Sequence, residues 1–137
     1  MVSSPAASLV GTVYSLTRRP RMYTSMGTLQ EVVAYFSGCC DTFRLTEDDT
    51  PEIPLSWRFA RWLCERHGEP VTIQPAEFCA VLSRLSPAPL EALWHEFELF
   101  ADEHLGVPRG AYPLKITVTC GYVTAGERRR PRKSRGR

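Results

Sequence analysis

The stretch T-L-Q-E-V-V-A-Y-F-S-G-C-C-D-T-F, residues 28–43, carries the clearest fold signal in the chain. Leu29, Val32, Val33, Phe36, Cys40 and Phe43 recur at spacings of three and four, which places them on one face of a helix. Thr28 stands just ahead of that stripe with Glu31 three residues on, so hydroxyl and carboxylate can each hold an amide at the helix start. A helix with one apolar stripe needs other helices to cover it.

Working outward, the same period repeats. Ser4-Pro5 is an N-cap followed by proline at the first helical position, and Leu9, Val10, Val13, Tyr14 and Leu16 form a stripe that Pro20 stops. Leu55, Phe59, Trp62 and Leu63 mark a third helix. His67-Gly68 closes it, since glycine fits the left-handed position after a helix end. A shorter helix follows Pro75, with Phe78, Val81, Leu82 and Leu85 inward. A last helix is expected to begin at Ser86-Pro87, with Leu90, Leu93, Trp94, Phe97, Phe100 and Ala101 as its apolar face, and to end near Gly106. Beyond it the period changes: Leu114, Ile116 and Val118 alternate with Lys115, Thr117 and Thr119, the pattern of a strand or extended segment over 107–125. The expected fold is mainly α: one domain, residues 1–125, built as a bundle of about five helices with a short extended or β segment. A disordered arginine-rich tail over 126–137 follows.

Charge is divided unevenly. Residues 1–125 hold 10 Arg and Lys against 14 Asp and Glu, whereas residues 126–137 hold seven against Glu127 alone, so an acidic body of −4 carries a basic tail of +6. No run of about 18 apolar residues occurs, so no membrane-spanning helix is expected. The N-terminal stretch lacks a basic leader region and its apolar residues are broken by Gly11 and Thr12, which predicts no signal peptide. Cys39, Cys40, Cys64, Cys79 and Cys120 are odd in number and contain no C-x-x-C pair; reduced thiols in a cytoplasm are the expectation.

The chemistry-bearing patterns are mostly incomplete. Trp94-His95-Glu96-Phe97-Glu98-Leu99 begins like the metalloprotease motif H-E-x-x-H, but Leu99 stands where the second histidine belongs. Glu91, His95, Glu98 and Asp102 share one helix face, which suits a divalent cation and equally suits a solvated surface. Cys39-Cys40 lies beside Asp41, yet Cys40 continues an apolar stripe. No phosphate-binding glycine loop and no G-x-S-x-G is present, so no cofactor, no catalytic metal and no enzyme activity are expected.

Two binding surfaces stand out. The first is R-R-P-R-M-Y, where Arg18, Arg19 and Arg21 flank Met22 and Tyr23, residue types enriched at protein interfaces. Met22 and Tyr23 could instead tuck under the second helix while the arginines cap the first. The second is the acidic loop with Glu47, Asp48, Asp49 and Glu52, four carboxylates that are costly to bury. The tail adds Arg128, Arg129, Arg130, Arg132, Lys133, Arg135 and Arg137, which could contact phosphates but offer no aromatic platform for bases.

From residue 16 to residue 105 the chain resembles the small bacterial immunity-type proteins of polymorphic toxin systems. The resemblance rests on Arg19-Pro20-Arg21-Met22-Tyr23, then Thr28-Leu29 with Phe36 and Gly38. It continues through Trp57, Phe59, Trp62-Leu63 and Arg66-His67-Gly68 to the helix Leu90-Glu91-Ala92-Leu93-Trp94-His95-Glu96-Phe97-Glu98-Leu99-Phe100. Arg21 replaces a common glycine, Thr24-Ser25-Met26 lengthens the stretch before Gly27, and the segment from Val107 onward has no counterpart. The resemblance implies binding to a partner protein and no chemistry. The expected function is therefore a non-catalytic cytoplasmic binding protein, immunity-like, that neutralises a toxin-like partner by contact. The alternative is an accessory protein that binds RNA or DNA through the tail.

Overall fold

The helix starts and stops are set by local hydrogen bonds that the sequence announces. In the computed structural model, which describes residues 4–47 and 53–112, Ser4 Oγ accepts the amide of Ala7 at 3.0 Å and opens α1, Pro5–Arg18. A short 3-10 turn, Pro20–Met22, follows. The reciprocal cap at Thr28 and Glu31 opens α2, Leu29–Glu47: Glu31 donates its amide to Thr28 Oγ1 at 3.2 Å, and the Thr28 amide donates to Glu31 Oε1 at 3.1 Å. Helix α3 runs Leu55–His67 and stops at Gly68, whose φ of 70° is left-handed; the Glu69 amide turns back to the Cys64 carbonyl at 2.9 Å. Helix α4 is Pro75–Leu85. Helix α5, Pro89–His104, begins two residues later than the sequence suggests, because Ser86 Oγ spends its lone pair on the Ala88 amide at 2.9 Å and Pro89 takes the first helical position.

The chain is thus mainly helical, with five α-helices and no strand among the described residues. Helix α1 packs between α2 and α5, α2 packs also on α3 and α4, and α5 lies against α1, α3 and α4. At the centre, Phe36 of α2, Phe59 of α3, and Phe97 and Phe100 of α5 meet edge-on. Their ring centroids are 5.1 Å apart for Phe36–Phe97, 5.4 Å for Phe36–Phe59 and 5.3 Å for Phe59 with each α5 ring. Leu16, Leu55, Leu63, Leu82 and Leu93 fill the space around them. Trp62, expected inside with the α3 stripe, is only half-buried: its indole N–H donates outward to Glu103 Oε1 at 3.2 Å while its ring rests on Phe59 and Phe100.

After α5, Gly106 turns the chain with a φ of 73° and Val107 is buried. Residues 107–112 form no strand; they run back along α5 toward α1. Gly110 donates its amide to Glu98 Oε2 at 2.8 Å and Arg109 pairs with Asp102 at 3.5 Å. Tyr112 then lies on α1, its hydroxyl donating to the Ala7 carbonyl at 2.7 Å and its ring stacked on Tyr14 at 6.1 Å. Gly11 makes this approach possible, since a Cβ there would sit 2.9 Å from the Tyr112 hydroxyl oxygen. The rest of the expected extended segment, with Leu114, Ile116 and Val118, and the tail of 126–137 lie outside the described residues. No helix among the described residues is long and apolar enough to cross a membrane.

Candidate functional site

The loop between α1 and α2 is built around two side chains. Thr24 donates its hydroxyl to the Pro20 carbonyl at 2.9 Å and accepts the Gly27 amide at 2.9 Å, closing residues 20–27 on themselves. Glu31 reaches back from the first turn of α2 and accepts the amides of both Met26 and Thr28, at 2.9 and 3.1 Å. Those amide bonds, with the one to Thr28 first, hold the Glu31 carboxyl below its ordinary value despite a small opposing effect of desolvation. Gly27 is left-handed at a φ of 73°, and a Cβ on it would lie 2.9 Å from Arg21 Cγ. Thr24-Ser25-Met26, the insertion relative to the resembled pattern, is therefore part of a fixed turn.

On this turn the structure exposes what the sequence left undecided. Met22 is 70% exposed, so it does not tuck under α2, and Met26 on the same turn is 66% exposed. Arg18, Arg19 and Arg21 are exposed; the Arg18 guanidinium lies over the Tyr14 ring at 5.2 Å. Arg19 caps α1 through its backbone, its amide donating to the Ser15 carbonyl at 2.8 Å. Tyr23 is half-buried and meets Tyr35 of α2 edge-on at 5.4 Å. Tyr35 and Met26, which lie outside the R-R-P-R-M-Y segment, join this surface. The signal for Tyr35 was present: a large aromatic one position before Phe36 and off the apolar stripe.

Tyr35 also borders a groove of about 610 Å³ between α1 and α2, lined by Pro5, Leu9, Thr12, Gly38, Cys39 and Phe43 among others. Burial raises the Cys39 thiol and pushes that of Cys40 well above its usual value, so each is a neutral thiol at neutral pH and a poor nucleophile. On the opposite flank of α2 a second cavity, of about 310 Å³, opens against α3 and the start of α4. Its wall holds Ser37 and Asp41 of α2, Ser56 and Trp57 of α3, and Ile73 and Gln74. Trp57 is 46% exposed, and Ile73 on the same cavity is exposed as well.

The other predicted sites fall elsewhere. Glu47 is the last residue of α2; Asp48, Asp49 and Glu52 lie outside the described residues, as do Arg128, Arg129, Arg130, Arg132, Lys133, Arg135 and Arg137. On the α5 face, Glu98 and Asp102 are engaged by Gly110 and Arg109, Glu91 lines a cavity beside Pro89, and His95 is exposed. Among the described residues no group of three His, Cys, Asp or Glu side chains is placed to hold a metal ion. The carboxylate the sequence did not single out is Glu96, buried beside that face and bonded to Arg66 at 2.9 Å and His67 at 3.1 Å. Comparison with protein-family models, with curated proteins and with solved structures finds no match to this chain.

Proposed function

We propose that this protein is a non-catalytic, cytoplasmic binding protein that contacts a toxin-like partner through the turn of residues 18–26 together with Tyr35. The observation that carries the proposal is the pair of exposed methionines, Met22 and Met26, held beside Tyr23 and Tyr35 on a turn fixed by Thr24 and Glu31. Met, Tyr and Arg are the residue types that concentrate in interface centres. A turn already fixed by its own hydrogen bonds loses little further freedom on association, which leaves more of the contact energy as affinity. The same turn contains the Arg19-Pro20-Arg21-Met22-Tyr23 segment on which the resemblance to immunity-type proteins rests. The −4 charge of residues 1–125, with Glu47, Asp48, Asp49 and Glu52 as its densest cluster, suits a cationic partner steered electrostatically.

The test is capture of a partner from the native host, its identification, and a purified binding assay with the variant Met22→Asp/Met26→Asp. Binding should fall at least tenfold with the melting temperature unchanged, because both side chains are already in water. Retention of full affinity by the double variant removes this surface from the interface. The alternative, association with RNA or DNA through the basic residues 128–137, rests on the charge of the tail and predicts binding that is lost with the tail and steeply reduced by salt.

A further inference from the structure

We infer that the cavity between α2, α3 and the start of α4 receives an arginine side chain of the partner protein. This rests on the partner-binding reading and adds the chemistry of the group recognised. Asp41 supplies the charge. Its Oδ1 accepts the hydroxyl of Ser56 at 3.0 Å, and Ser56 is itself buried, so the carboxylate is anchored through one oxygen and has acceptor sites beyond that bond. Trp57 supplies the aromatic surface. It differs from the other two tryptophans: Trp62 stacks on Phe59 and lies under the Arg66 guanidinium at 5.6 Å, and Trp94 meets Tyr14 at 5.1 Å, whereas Trp57 has no ring or cation neighbour among the described residues. It stands exposed on the wall that also holds Asp41.

A carboxylate and an unpartnered indole on one concave wall match a planar cation, which can pair with the first and lie on the second. Arginine fits better than lysine because its five N–H groups need several acceptors, and Ser37 and Gln74, which line the same cavity, are polar residues that add to Asp41. A volume of about 310 Å³ is at the low end for ligand sites, the scale of one long side chain. The apolar floor of Phe36, Ala60 and Phe78 suits the methylene stem.

The full chain, labelled with ¹⁵N, is titrated with N-acetyl-arginine methylamide and followed at the Trp57 indole N–H and the Ser37 and Gln74 amides. Saturable shifts confined to this cavity are expected, with a Kd on the order of 1–10 mM for so small a probe. The citrulline analogue, of the same shape but uncharged, should bind roughly tenfold more weakly, and Asp41→Asn should weaken the arginine probe by a similar factor. Trp57→Leu, read at the Ser37 and Gln74 amides, should reduce binding as well and decides the matter if Asp41→Asn does not fold. The assignment is overturned by the absence of saturable shifts, by equal response to citrulline, or by undiminished shifts in a folded variant. The titration needs no partner protein. A positive result beside full affinity of the Met22→Asp/Met26→Asp variant would therefore locate the fault in the turn, and the reverse pattern in the cavity.

Discussion

Glu96 shows how much depends on one side chain that periodicity passes over. Its position on α5 borders the apolar face of Phe97 and Phe100, yet a glutamate there reads as the edge of the solvated side. The structure buries its carboxylate to 7% exposure because α3 ends opposite it, and the last-turn residues Arg66 and His67 both reach it. Arg66 in turn lies over Trp62, so one carboxylate ties the end of α3 to the middle of α5. Such a long-range pairing leaves no trace in local spacing: Arg66 and Glu96 are 30 residues apart. Removing the buried carboxylate takes away the acceptor that Arg66 and His67 share, and both are left partly exposed to water. Glu96→Ala is expected to cost about 2–3 kcal/mol, less than a fully enclosed pair because Arg66 retains access to water. Glu96→Gln, which keeps an acceptor, should cost less. Urea denaturation of the two variants measures both, and equal stabilities for Glu96→Ala and the parent would show that the pair contributes nothing.

At the level of elements, capping chemistry was the most legible part of the sequence. Ser4, the Thr28–Glu31 pair and Gly68 all do in the structure what their residue types predict. The start of α5 was less so, because Pro87 and Pro89 both suit a first helical turn and only the Ser86–Ala88 hydrogen bond separates them. The turn of residues 20–27 was legible as a surface but not as a conformation, since Thr24 and Glu31 close it through bonds that no apolar pattern records. That turn carries its own pH dependence. The Glu31 carboxyl is lowered in the folded protein, so its hydrogen bonds favour the folded state at pH above the ordinary glutamate value. Their contribution is lost as pH falls through the lowered, folded-state value. The Met26 and Thr28 amides should accordingly lose protection from hydrogen exchange on acidification ahead of the α2 interior. Glu31→Gln should flatten that dependence. Uniform loss of protection across α2 would mean that the carboxylate does not hold the turn.

For the molecule as a whole, charge is the property that composition reveals and geometry only distributes. The acidic body and basic C-terminal stretch are plain from counting. The placement of three exposed arginines beside two exposed methionines on an otherwise acidic body needed the fold. This division makes the two functional readings separable. Reversing Asp48 and Asp49 to lysine should slow association with a cationic protein partner by about tenfold at low salt and reduce its salt dependence, leaving the melting temperature in place. Removing residues 127–137 should change neither. If the partner is nucleic acid, the reversal leaves binding intact or strengthens it and the truncation abolishes it. Stopped-flow association at two salt concentrations distinguishes these outcomes.

The contact of Tyr112 with α1 bears on the order in which the protein can mature on the ribosome. Of the described helices α1 is made first, but its neighbours arrive at widely separated times: α2 almost at once, α5 much later, and the Tyr112 hydroxyl 105 residues after the Ala7 carbonyl it binds. Until then Gly11 presents bare backbone where the Tyr112 ring will lie. A nascent chain lacking α5 has α1 and α2 paired over only part of their apolar faces, so the bundle cannot close by stepwise addition of finished halves. Full coverage of α1 waits for Tyr112, so among the described helices the first to be made is the last to be completed.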